Sequence, residues 1–178
     1  MTRATDLMKE FSLKNLGEVA SLSARPDAWP AVASAVSAVA QDLVGWRMCG
    51  VSRFFPDIMG LQRIHTSHPA EYPVGGRKSK RGLDWADQVL LRCEPFIGVD
   101  MDAMRSAFDD HEKLFAMGMR SIINTPIVFE GRCLGTFNLT HEEGWYRPGD
   151  EKITTALAYL LVPGLLAIAG ETETGSTN

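Results

Sequence analysis

Four histidines and three cysteines are the residues of this chain best suited to chemistry. His65 and His68, with Glu71 close behind, have the donor types of a metal site. Strand positions three apart point to opposite faces, so both imidazoles reach one ion only if the strand ends near Thr66. His111 and Cys93 could complete such a set. Alternatively, Cys93 with His65 or His111 as its base would give a thiol nucleophile. Against both readings, Cys93 follows Leu90 and Leu91, and a free cysteine in such a place behaves as a small buried apolar residue. Cys49, in a strand-forming stretch, reads as core. Ordinary polar loop residues account for the histidines, and nothing in the sequence requires a metal or cofactor. Asp109-Asp110 and Glu142-Glu143 are adjacent acids, and acid–base work needs two carboxylates held on one wall of a cleft.

Binding residues are more legible than catalytic ones. Thr136, Asn138 and Thr140 alternate and share one strand face, with Gly135, Phe137 and Leu139 on the other. Closing a hairpin over Glu130-Gly131 brings Thr125 opposite Thr136. Such a polar strip needs partners if buried, so it faces solvent or lines a pocket. Arg47, Arg53, Arg63 and Arg120 fall on strands, where an exposed face is the default. If one enters a pocket with Trp46, Tyr72 or Trp85, it fits an anionic planar ligand by paired hydrogen bonds and stacking. Asp100 follows a short strand, where it caps the next helix or sits on a pocket rim.

These residues need a scaffold of one domain. The chain has 178 residues, 45% hydrophobic and 22% charged, enough for a single core. Net charge is -4, so no global basic field recruits nucleic acid, and Arg77-Lys78-Ser79-Lys80-Arg81 reads as a solvated loop. Three widely spaced cysteines give no disulfide framework and suit a reducing cytoplasm. No signal peptide is expected, because charges precede any apolar run. Ile153 to Ala169 approaches the length of a membrane span, but Thr154, Thr155, Pro163 and Gly164 favour a helix buried by protein.

Periodicity supplies the elements. A helical stripe runs over Thr5–Leu22. After Asp27, a plausible cap, Val32, Ala35, Val36, Val39, Ala40 and Leu43 mark a second helix. Trp46–Phe55 and Met59–Thr66 form a hairpin around Pro56-Asp57. A loop spans His68–Gly82. Asp84 can cap a helix reaching Cys93, Phe96–Val99 is a short strand, and Met101–Met117 is a helix stopped by Gly118. Ser121–Phe129 and Cys133–Thr140 form a second hairpin. Pro148-Gly149-Asp150-Glu151 starts a long apolar helix that Pro163 should kink.

The run Gly118-Met119-Arg120-Ser121-Ile122-Ile123-Asn124-Thr125-Pro126-Ile127, the turn Glu130-Gly131 and the strand Leu134-Gly135-Thr136-Phe137-Asn138-Leu139 resemble the last hairpin of a GAF domain. Pro148-Gly149-Asp150 resembles the start of that family's closing helix. The resemblance implies an α/β (α+β), PAS-like fold: a central antiparallel sheet of five or six strands, terminal helices on one face, and a ligand pocket on the other. It covers residues 28–169, between an N-terminal helical segment (1–27) and a disordered tail (170–178). GAF domains bind small molecules, and one branch reduces free methionine sulfoxide. That branch's cysteines precede the penultimate strand, where this chain has Ala116-Met117-Gly118-Met119-Arg120. A second similarity, to acyl-homoserine lactone sensors, rests on Tyr72-Pro73, Trp85 and Asp100, with Met101 where that family has proline.

The resulting expectation is a cytoplasmic small-molecule sensor, regulator or accessory subunit. Its ligand-binding candidates are Thr125, Thr136, Asn138, Trp46, Tyr72, Trp85 and Asp100. The alternatives are a small-metabolite enzyme using Cys93, His65 or His111, and a dimerisation module without ligand. The expected partners are a small-molecule ligand, a second copy of the chain through the terminal helices, and a further protein as an option, with neither nucleic acid nor membrane. The dimer follows from a final helix apolar on nearly every side.

Overall fold

The computed structural model describes residues 13–174. Helices α1 (Leu13–Ser23) and α2 (Trp29–Leu43) precede strands β1 (Met48–Phe55) and β2 (Gly60–Thr66). A short strand β3 (Arg77–Ser79) follows, then a single turn α3 (Asp84–Ala86) that runs into a π-helical turn at Asp87–Leu91. Next come β4 (Phe96–Gly98), α4 (Met101–Ala107), α5 (His111–Ala116), β5 (Ser121–Phe129) and β6 (Arg132–His141). Helices α6 (Asp150–Tyr159) and α7 (Val162–Thr174) complete the described chain. The strands form one sheet in the order β3-β2-β1-β6-β5-β4, every neighbouring pair antiparallel.

The sheet divides two cores. Cys49, Val51, Ile123, Ile127, Phe137 and Leu139 point to α2, α6 and α7, where Val32, Val36, Leu157, Leu161 and Leu165 meet them. Phe54, Leu61 and Ile122 point the other way, toward Trp85, Val89, Met104, Phe108 and Leu114. Strand alternation and helical periodicity therefore place the helix-side core as the sequence implies. A Cβ on Gly135 would lie 2.1 Å from the Ser52 carbonyl oxygen, so only glycine lets β1 and β6 approach here.

Several expectations change. The helical stripe over Thr5–Leu22 lies partly outside the described residues, and α1 extends to Ser23. Asp27 does not cap α2: it is left-handed (φ 51°), Ala28 holds the cap position without a side-chain bond, and Pro30 sets the first turn. The expected loop over His68–Gly82 contains β3, a strand too short to show periodicity. Leu83, not Asp84, holds the cap position of α3. The expected helix over Met101–Met117 is two helices. Phe108 turns extended (φ -131°, ψ 124°) and packs edge-on against Trp85 at 5.4 Å and Phe96 at 6.3 Å. Core contacts override local helix propensity there.

The final helix bends by 44° between α6 and α7, the break that Pro163 implies. No single helix among the described residues is long and apolar enough to cross a membrane. Helix α7 continues to Thr174, so helical order extends past Gly170 into the segment expected as a tail.

Candidate functional site

A cavity of about 200 Å³ lies on the face of the sheet away from the terminal helices. Its floor is β1, β2, β5 and β6, contributing Met48, Gly50, Ser52, Leu61, Asn124, Asn138 and Thr140. Its roof is the segment from Tyr72 through β3 to Trp85, closed by Phe108, Asp110 and Leu114.

The polar floor is a connected chain. The Trp85 indole N–H donates to Asn124 Oδ1 at 2.8 Å, and Asn124 Nδ2 donates to Asn138 Oδ1 at 2.6 Å. Asn138 Nδ2 then donates to Thr136 Oγ1 at 3.1 Å. Thr140 Oγ1 donates to the Met48 carbonyl at 3.4 Å. These bonds satisfy buried groups and hold Asn138 in a fixed orientation.

Two bulges decide which side chains reach this face. In the second hairpin Val128 pairs with Cys133 but Ile127 pairs with Gly135, so Leu134 is an extra residue. Thr125 thereby faces Phe137 rather than Thr136, which corrects the expected register. A one-residue slip reverses faces. Thr125 lies among the helix-side residues and shares a 2.7 Å hydrogen bond with Thr154 of α6. In the first hairpin Ser52 pairs with Arg63 while Val51 pairs with His65, leaving Ile64 extra. Arg63 lines the cavity in consequence, whereas His65 turns to α2, with Nε2 3.1 Å from Ser37 Oγ.

The other expected residues divide as follows. Tyr72, Trp85 and Asn138 line the cavity, and Thr136 supports Asn138 from the same strand. Trp46 does not: its indole donates to the Ser37 carbonyl at 2.9 Å on the helix side. Asp100 caps α4, accepting from the Ala103 N–H at 2.8 Å, and lines no part of the cavity. His68 Nδ1 lies 2.9 Å from Ser67 Oγ, and His111 Nδ1 lies 2.7 Å from the Phe108 carbonyl oxygen. The three histidines are thus spread over separate elements, and no group of three metal-ligating side chains occurs among the described residues.

The thiols are poorly placed for nucleophilic work. Burial pushes Cys49 and Cys133 up to about 12 and also raises Cys93. Cys93 and Cys133 line no part of the cavity; Cys49 borders it, but its Sγ lies 3.2 Å from Ser37 Oγ on the helix side. A raised thiol pKa leaves little thiolate at neutral pH.

What sequence reading missed is the cationic roof. Lys80, one of the run Arg77–Arg81 expected to be solvated, is only 6% exposed. Its ammonium lies 5.6 Å from the Trp85 ring and 3.7 Å from Asp109 Oδ1. Arg63 stacks over the Tyr72 ring at 4.9 Å. Asp110 is paired with Lys78 at 2.7 Å; burial opposes ionisation, but that bond and the charges of Lys78 and Lys80 hold its carboxyl below its ordinary value. The one signal available was composition: five consecutive residues holding four cations, close to Tyr72 and Trp85.

Comparison with known proteins fits this geometry. The GAF domain model matches residues 30–162. The chain belongs to the GAF domain family. It is similar to the GAF domain of a phosphoenolpyruvate-protein phosphotransferase from Coxiella burnetii, with a TM-score of 0.70 at 18% identity, covering 91% of this chain and 96% of that one. It is also similar to the GAF domain of a two-component sensor histidine kinase from Bacillus halodurans, with a TM-score of 0.61 at 10% identity, covering 79% and 94%. A third similar structure is free methionine-R-sulfoxide reductase from Neisseria meningitidis, solved with its substrate, with a TM-score of 0.57 at 18% identity, covering 82% and 83%. No curated protein matches the sequence.

Proposed function

We propose that this protein is a cytoplasmic, ligand-responsive regulatory module whose loop-side cavity reversibly binds one small metabolite. The observation that carries this reading is the cavity itself, floored by a hydrogen-bonded Asn124–Asn138–Thr136 chain and roofed by Tyr72, Lys80 and Trp85. Its volume of about 200 Å³ lies below the ~300–1,000 Å³ of typical drug-sized sites. The ligand is therefore compact, much smaller than a tetrapyrrole. The family supports this reading, since GAF domains are known for small-molecule binding and signalling. The raised thiol pKa values and the positions of the cysteines support binding over thiol catalysis.

The terminal helices are the proposed surface for a second copy of the chain. Tyr159 and Leu166, on α6 and α7, are exposed and would form that contact. Leu161 and Leu165 are buried in the core and take no part in it.

Native mass spectrometry of freshly purified protein tests both statements. The reading expects a small adduct above 19.6 kDa per chain, lost on denaturation, within a dimeric species. A ligand-free protein whose melting temperature no small metabolite shifts would contradict the binding role, and a monomer at micromolar concentration would contradict the dimer.

A further inference from the structure

The cavity carries more positive charge than its own side chains neutralise. Four cations line it, Arg63, Arg77, Lys78 and Lys80, against the single carboxylate of Asp110. Lys78 and Asp110 satisfy one another at 2.7 Å. Arg77 is held at the margin by the Phe55 ring at 4.8 Å and by Gln62 Oε1 at 3.3 Å. Lys80 remains. Its side chain is 7% exposed; the nearest carboxylate among the described residues is Asp109 at 3.7 Å, with a side chain 69% exposed to water, and Asp110, already bonded to Lys78, adds only its charge.

A buried ammonium in that state is expensive. Beside it in the cavity lining is a second unmet demand. Tyr72 is 5% exposed, and its hydroxyl has no hydrogen-bond partner among the described residues. Asp110 lies close to that phenol, but its carboxylate is already bonded to Lys78 at 2.7 Å. Arg63, stacked on the same ring, adds a guanidinium that among the described residues donates to the Pro73 carbonyl alone, at 3.4 Å. An ammonium, a guanidinium and a phenolic O–H are all donors, and an oxyanion satisfies all three. Trp85, Phe108 and Leu61 supply an apolar wall for the rest of a ligand.

Resting on the proposal that this cavity is a ligand site, we infer that its ligand is a small organic oxyanion, a carboxylate or phosphate ester. Its charged head is held by Lys80, Arg63 and Tyr72, and its flat or apolar body lies against Trp85. The selectivity resides in the Lys80 charge.

Titration calorimetry with benzoate, phenyl phosphate and the neutral isostere benzamide tests this. At least one anion should bind native protein tenfold or more tighter than benzamide, and which one does so tells carboxylate from phosphate ester. Lys80→Met should remove that preference, and Lys80→Arg should restore most of it. Lys80→Met deletes a buried charge, so its fold should persist; a thermal melt confirms this. Equal binding of all three probes, or an anion preference that survives in Lys80→Met, overturns the inference while leaving the cavity a binding site. Failure of every probe to bind native protein overturns the inference; the binding role itself then stands or falls on the co-purified adduct.

Discussion

The two faces of the sheet are built from the same strands and yet solve different problems. The helix side is mostly apolar and closed: Val51, Phe137 and Leu139 meet Val36, Leu157 and Leu161, all fully or almost fully buried. The loop side carries Ser52, Asn124, Asn138 and Thr140, and it leaves a cavity roofed by cations. The first face spends its residues on stability. The second keeps under-satisfied donors, Lys80 and the Tyr72 hydroxyl, that lower stability until something binds. Where a protein holds a buried group in poor company, function is the usual reason.

The contrast can be broken most severely on the helix side. Phe137→Ala should cost about 3–5 kcal/mol by urea unfolding, because a fully buried ring leaves a void that the sheet cannot close. Leu161→Glu should prevent folding at ambient temperature, since it buries an unpaired carboxylate. Neither is a test of dimerisation; Tyr159→Lys with Leu166→Lys is, and sedimentation should show dissociation without loss of fold.

A middle-sized effect belongs to the polar floor. Asn138→Ala leaves Asn124 Nδ2 without its acceptor, so it should cost about 1–3 kcal/mol as well as ligand affinity. The opposite sign is expected for Lys80→Met, which should melt at the same temperature as wild type or higher. Burial lowers the Lys80 pKa, with Asp109 partly offsetting it. The unfolded chain therefore binds more protons in the window just below the ordinary lysine value. Stability rises with pH through that window in wild type, and Lys80→Met should flatten the rise.

Much of the helix side was legible in the sequence, because periodicity reports directly on burial. Val32, Val36 and Ala40 announce α2, and Phe137 with Leu139 announces the buried face of β6. The loop side was legible only in part. Alternation put Thr136 and Asn138 together correctly, but bulges at Ile64 and Leu134 placed His65 and Thr125 on the far face. A bulge is a backbone event with no fixed residue signature when glycine is absent. Lys80 was missed for another reason. A charge run reads as solvated unless tertiary structure folds it inward, and only the pairing of β3 with β2 does that here.

Two smaller effects sharpen the comparison. Burial lowers the His65 pKa beneath its ordinary 6.5, so the folded state holds the ring neutral against Ser37. Stability should therefore fall as pH drops from about 6.5 through the folded value, and His65→Gln should weaken that dependence. Smallest of all, thiol reagents at neutral pH should label Cys93 and Cys133 slowly in the native protein, as peptide mapping will show.

The central claim is that ligand enters on the loop side and leaves the helix side untouched. The four tryptophans report on it separately. The Trp85 indole N–H points to Asn124 in the cavity, while those of Trp29, Trp46 and Trp145 donate to the carbonyls of Ile64, Ser37 and Val44. A titration of nitrogen-15-labelled protein with benzoate or phenyl phosphate, followed by the four indole resonances, should move the Trp85 signal and leave the other three in place. Movement of the helix-side signals with Trp85 unchanged would contradict the account.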